Sequence, residues 1–185
     1  MQAEDKKELL QIARQTLELY LKGEKIPVMS SRSPMLGEKR GAFVTLEKKL
    51  SAEKFQLRGC IGHLPADKPL IRVVQEMAIQ AATGDPRFSP MTLEELGNVR
   101  IEISILSPFQ VMHDISEIRI GEHGLLIEKG WKRGLLLPQV AEREGWDRET
   151  FLDYTCLKAG LSSGDWRSKE VVISLFSAEV FHEGL

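Results

Sequence analysis

A chain of 185 residues supports one sizeable hydrophobic core, or a core with a small annexed lobe, and falls short of two full independent domains. Its 25 basic and 27 acidic residues leave a formal charge of -2, and no Lys/Arg block supplies the electrostatic footprint of a nucleic-acid binder. No segment approaches the roughly 18 uninterrupted apolar residues of a membrane span, and MQAEDKKELL lacks the apolar stretch of a secretion signal, so a cytoplasmic protein is expected.

The chain opens with a helix: Leu9, Leu10, Ile12, Ala13, Leu17, Tyr20 and Leu21 recur at helical spacing, and Gly23 and Pro27 stop it. MSSRSPMLGEKRG, Met29 to Gly41, has no periodicity and reads as a surface loop or a mobile flap. AFVTL is a strand, KKLSAEK a connection, and FQLRGCI its antiparallel partner. Strict alternation in that partner sets Phe55, Leu57, Gly59 and Ile61 on one face and Gln56, Arg58 and Cys60 on the other. A helix follows, capped at Asp67 or Lys68, with Leu70, Val73, Val74, Met77, Ala78 and Ala81 as its stripe and Gly84 at its end. In DPRFSPMTLEEL, Asp85-Pro86 has turn chemistry, and Thr92 with Glu95 forms a T-x-x-E capping box. VRIEISIL then places Val99, Ile101, Ile103 and Ile105 toward a core and Arg100, Glu102, Ser104 and Leu106 on the reverse side.

Beyond Phe109 the texture changes to short segments around glycine turns. EIRIGEHG, LLIEKGWKRG and LLLP suggest a three-stranded meander; helices are expected in PQVAERE and after an Asp147 cap, ending at Gly160. The run EVVISLFSAEVF returns most simply to the larger sheet. The tryptophans Trp131, Trp146 and Trp166 read as packing residues. The fold class expected is α+β in two lobes: a larger one, about 1–112 plus 163–185, with a predominantly antiparallel sheet and helices, and a smaller one, about 113–162, with the meander and two helices.

Four segments in this order, LRGCIG (Leu57 to Gly62), DPRFSPMT (Asp85 to Thr92), GEHGLLIE (Gly121 to Glu128) and LLPQVAEREGW (Leu136 to Trp146), resemble the AMMECR-one domain family over about Gly41 to Phe181. LRGCIG is that family's hallmark. The resemblance implies a two-lobed α+β fold whose larger lobe is assembled from both chain ends. It also implies a setting shared with Memo-like and radical SAM proteins, without a reaction, a cofactor or a catalytic residue to carry over.

The hallmark is where chemistry is expected. Gly59 and Gly62 let a ligand or another backbone approach closely, or allow a bulge. Arg58 beside Cys60 favours the thiolate, which makes Cys60 a candidate nucleophile or redox group; the alternative is a small packed thiol with Arg58 tied to a carboxylate. Glu102 and Ser104 share the polar face if the two strands are neighbours, and Arg58 then has Glu102 as a partner. His63 is a candidate base to Cys60 should Gly62 turn the chain. Gln139 is a candidate wall residue from the smaller lobe. Cys60 and Cys156 lie far apart and outside any CxxC pair, so neither a disulfide nor a zinc site has its usual signature. Two functions follow: an enzyme or enzyme subunit acting on a small polar or anionic molecule in an interlobe cleft, or a noncatalytic protein- or peptide-binding scaffold.

Overall fold

The computed structural model describes residues 1–184 and divides the chain into two compact units, Met1–Ile105 with Glu179–Leu185 and Leu106–Ala178. Leu185, the last residue assigned to the larger lobe from sequence, lies outside the described residues. The chain changes unit at Leu106 and again at Glu179, so the internal unit is longer at both ends than the expected 113–162. The class is α+β with antiparallel pairing in two four-stranded sheets. Among the described residues no helix is long and apolar enough to cross a membrane.

The first unit holds α1 (Ala3–Leu21), α2 (Pro34–Gly37), β1 (Ala42–Lys49), β2 (Phe55–His63), α3 (Leu70–Thr83), α4 (Leu93–Leu96) and β3 (Val99–Leu106), and near the chain end β8 (Ala178–His182). Its sheet is ordered β2-β1-β3-β8, which leaves β2 at an edge. Period-two alternation works as expected in β1 and β3: Ala42, Val44 and Leu46 are buried, as are Ile101, Ile103 and Ile105. The helix α3 packs on β1 and β2 through Val73, Val74, Met77, Ala78 and Ala81, and α1 lies beside it with Leu9, Ile12, Ala13 and Leu17 in the same core. The small Ala78, Ala81 and Ala82 bring the α3 backbone close to the sheet. Segment 29–41 is anchored rather than a free flap: Leu36 is fully buried, and Leu70 donates its N–H to the Glu38 carbonyl at 2.8 Å.

Alternation fails in β2. Leu46 faces Gly59 but Glu47 faces Leu57, so Arg58 is an extra residue in a β-bulge and the face assignment made by strict alternation breaks there. The bulge coincides with the tightest approach in the unit: a Cβ on Gly59 would lie 2.0 Å from the Ala81 carbonyl oxygen of α3.

The second unit holds β4 (Gln110–Val111), β5 (Gly124–Lys129), β6 (Lys132–Leu136), α5 (Pro138–Glu144), α6 (Arg148–Lys158) and β7 (Val172–Phe176), its sheet ordered β4-β7-β5-β6. Two expectations are corrected. No three-stranded meander forms, because residues 115–117 make a 3-10 turn. Asp114 accepts the Ser116 N–H, and Glu117 accepts the N–H groups of His113 and Asp114, so local side-chain bonds replace a strand ladder. The strand VISLF does not join the larger sheet either. It pairs with β5 and β4, and only the following Ala178–His182 returns, the break lying at Ser177, whose N–H and carbonyl are both bonded to Ser107. The Asp147 cap is as expected, its side chain accepting the Thr150 N–H at 2.8 Å, and α6 packs Phe151, Leu152 and Cys156 into the core. Trp146 stacks on Tyr154, but Trp131 is 88% exposed at the tip of the β5-β6 hairpin and packs no core.

Gly59→Ala is expected to destabilise the protein by about 3 kcal/mol, at the upper end of overpacking costs, because helix backbone must move. Gly62→Ala, where the added methyl meets the Phe43 ring at 2.3 Å, should cost less because a side chain can yield. Urea unfolding of the two variants checks the order; equal midpoints would contradict it.

Candidate functional site

The exposed edge of β2 is covered by the segment that leaves α3. Asp85 accepts the Cys60 N–H at 2.9 Å, capping a strand group that has no neighbouring strand to pair with. Arg87 holds that carboxylate from the other side, with Nε to Oδ1 at 2.9 Å and Nη2 to Oδ2 at 2.7 Å, and the Arg87 N–H adds a third contact at 3.1 Å. Asp85 is buried, and Arg87's hydrogen bonds, joined by the Cys60 and Arg87 backbone N–H groups, outweigh burial and hold its carboxyl well below the usual carboxylate range.

Arg58 closes the same segment a few residues on. Its Nε and Nη2 form a fork on Glu95 at 3.0 Å each, and Nη2 also donates to the Ser89 carbonyl at 3.0 Å. Phe88 lies beneath the guanidinium with its ring centroid at 5.9 Å. Only 9% of Arg58 is exposed, and the partner is Glu95 of the capping box, not Glu102. The fork lowers the pKa of Glu95, helped by the Thr92 N–H. Arg58 is therefore an internal clamp between the β2 bulge and α4. Gly59 and Gly62 are likewise filled from within, by the Ala81 carbonyl and the Phe43 ring, so neither leaves backbone open to a ligand.

The pairing register places three residues in one row across the sheet: Cys60 of β2 faces Thr45 of β1, and Thr45 faces Glu102 of β3. The adjacent row on that side is Gly62, Phe43 and Ser104. Thr45 donates its hydroxyl to the Cys60 sulfur at 3.3 Å. Burial pushes the Cys60 thiol up; the Thr45 hydrogen bond and the Arg87 charge oppose this, while Asp85 and Glu102 add to it. The expected arginine-activated thiolate is thus corrected on two counts: the Arg58 guanidinium, two residues before Cys60, is bonded to Glu95 and Ser89, and the net environment favours the protonated thiol. Burial also raises Glu102, reinforced by Glu47 and opposed by His182 and Arg100. Glu47 is engaged with Arg100 at 3.0 Å, whereas the Glu102 carboxylate makes no hydrogen bond or ion pair among the described residues. Ser104 is buried, with no base assigned to it.

His63 is not a base to Cys60. It faces Ala42, on the side of the sheet opposite the Cys60 row, and its Nε2 is 2.6 Å from Asp67 Oδ1. Gln139 belongs to α5 of the second unit. Among the described residues no group of three or more His, Cys, Asp or Glu side chains is arranged to hold a metal ion. The residues that sequence reasoning passed over are Asp85, Arg87 and Thr45. Asp85 had a visible signal, since an Asp-Pro-Arg triplet directly after a glycine helix end puts an acid and its own counter-ion two residues apart.

A two-unit α+β protein with an edge strand clamped by an Asp-Pro-Arg turn defines a structural class that comparison with known proteins makes specific. The chain belongs to the AMMECR1 family, whose family model matches residues 10–181. It is 46% identical to a protein of Methanothermobacter thermautotrophicus over 95% of this chain and 92% of that one, and 47% identical to a protein of Methanocaldococcus jannaschii over 92% and 86%. The crystal structure of protein PH0010 from Pyrococcus horikoshii superposes with a TM-score of 0.86 at 41% identity, covering 95% of this chain and 89% of that chain.

Arg58→Met should destabilise the protein by about 1–3 kcal/mol through the stranded Ser89 and Glu95 acceptors, while leaving the alkylation rate of Cys60 within about twofold. A large fall in that rate at unchanged stability would restore Arg58 as the activator. Asp85 gives a pH signature. A carboxyl whose folded pKa is depressed contributes stability that is complete above its unfolded value and lost as pH falls toward the folded one. Asp85→Asn should therefore be less stable at neutral pH and show a flatter loss of stability below about pH 4, followed by denaturant midpoints across that range.

Proposed function

We propose that the chain is an enzyme or enzyme subunit that holds a small polar molecule over the Thr45, Cys60 and Glu102 row. One observation carries this reading: Glu102 is a partly buried carboxylate with a raised pKa and no partner among the described residues, whereas Glu47, Asp85, Glu95 and Glu183 of the same unit are all paired. An acid kept in a place that penalises its charge lowers stability at neutral pH, and such groups cluster at functional sites. Cys60 and Glu102 lie two strand spacings apart, about 10 Å, with Thr45 between them, so a ligand lying over Thr45 reaches both.

The chemistry this row supports is proton transfer by Glu102 and hydrogen bonding by a neutral Cys60 thiol, not attack by a preformed thiolate. An anionic ligand finds a weaker anchor than expected, because Arg58 gives Nε and Nη2 to Glu95 and Ser89 and only its buried Nη1 is without a partner. The cation nearest the thiol in influence is Arg87, itself shared with Asp85. A setting with Memo-like and radical SAM proteins rests on the family resemblance, so such proteins belong in the assay as added components.

A noncatalytic scaffold is the second reading, favoured by the internal use of Arg58, Gly59 and Gly62. The two separate under mutation. Glu102→Gln should raise the unfolding midpoint at neutral pH, since it removes a charge whose burial is unfavourable, and should abolish turnover or retention of polar metabolites screened with and without the added proteins. Cys60 should be alkylated well before the fully buried Cys156, at a rate still rising above about pH 8.5 as the protonated thiol ionises. A Glu102→Gln protein no more stable than the parent, with metabolite binding intact, would sink the enzymatic reading.

A further inference from the structure

The helix α1 carries a second stripe that its core packing does not use. Leu9, Ile12, Ala13, Thr16 and Leu17 face the core, while Ala3, Lys7, Leu10 and Arg14 recur at intervals of three and four along another face. That face forms one wall of a cavity of about 660 Å³, with Phe181 of β8, the residues just after it and Gly97 completing the lining. All of it lies within the first unit.

The groove is built on a rigid base. Arg14 is fixed by the Leu96 carbonyl at 2.9 Å, the Val99 carbonyl at 2.7 Å and the Glu183 carboxylate, which also accepts the Ile101 N–H at 3.0 Å. Leu10 and Phe181 supply apolar surface that is only partly buried. The rim is basic: Lys6, 2.8 Å from Glu179 and 5.7 Å from the Phe181 ring centroid, and Lys7, which makes no ion pair among the described residues. Glu183 is the acid among the lining residues, and it is consumed by Arg14. A volume in the range of small-molecule sites, an apolar wall and a rim lysine, Lys7, with no ion-pair partner among the described residues are complementary to one kind of occupant.

We infer that this groove binds an organic anion with an apolar body, its carboxylate or sulfonate at Lys7 and Lys6 and its hydrocarbon or aromatic part against Leu10 and Phe181. The groove shares no residue with the Cys60 row and its assignment does not rest on the function proposed there, although His182, one of its lining residues, also acts electrostatically on Glu102.

The probe is 8-anilinonaphthalene-1-sulfonate, titrated by fluorescence into the full folded chain, with decanoate and decanol as competitors. Saturable binding at one site is expected, displaced by decanoate and much less by decanol. Lys7→Glu, at an exposed helix position where folding should be unaffected, should weaken binding by about fivefold or more, and Ala3→Glu should do the same by placing a negative charge one turn from Lys7, within pairing reach of Lys6 and Lys7. Lys25→Glu, outside the groove, should bind as the parent does. Unchanged thermal unfolding in all three variants shows that the dye reads the native site rather than a loosened core. Failure of the native chain to bind, equal displacement by decanol, or full affinity in both Lys7→Glu and Ala3→Glu would overturn the inference.

Discussion

The first unit depends on how closely one helix end approaches one strand. The Ala81 carbonyl of α3 occupies the space where any side chain on Gly59 would begin, and four residues later Asp85 takes the Cys60 N–H. A carbonyl that near to a strand needs both a residue without Cβ and a locally displaced backbone, and the bulge at Arg58 provides the second. Once α3 is seated there, the chain leaving it must pass the open edge of β2, and the groups of that edge are satisfied by what passes.

This explains why charge accumulates along residues 85–95 largely in matched pairs. Asp85 would be a liability if buried alone; Arg87, two residues on, returns the opposite charge to the same place, and the Cys60 and Arg87 N–H groups complete its shell. Arg58 and Glu95 repeat the arrangement at the far end, with the Ser89 carbonyl as third member. Asp85 and Glu95 are each matched by a guanidinium, so the segment stays fixed against the strand. Phe88, between Arg58 and Arg87 with centroids 5.9 and 5.5 Å from their guanidinium carbons, is covered by both.

The parts of the fold legible in the sequence were those decided by local pattern. Alternation identified the core faces of β1 and β3, T-x-x-E identified the start of α4, and Asp147 the start of α6, because each depends on residues within one element. The misreadings were non-local. Placing Arg58 beside Cys60 assumed unbroken alternation, and a bulge is set by what packs across the strand, here α3, not by the strand's own residues. Sending VISLF to the larger sheet overlooked that one serine is enough for a chain to change sheets. The shared face of Cys60, Glu102 and Ser104 was legible on one condition, that the strands be neighbours; β1 lies between them and contributes Thr45, whose role only the register reveals.

These distinctions redistribute the meaning of LRGCIG. Leu57 is exposed on the edge strand, but Arg58 clamps, Gly59 admits a helix, and Gly62 admits a ring, so three of the six residues have duties that scaffold packing explains. Cys60 has two roles of different kinds: its backbone N–H is structural, fixed by Asp85, while its sulfur, bonded by Thr45, faces the row that ends at Glu102. A substitution at Cys60 that keeps the backbone leaves the clamp intact. The thiol can therefore be altered without disturbing the edge that positions it, and that separability is what a side chain with its own chemical duty requires of the strand that carries it.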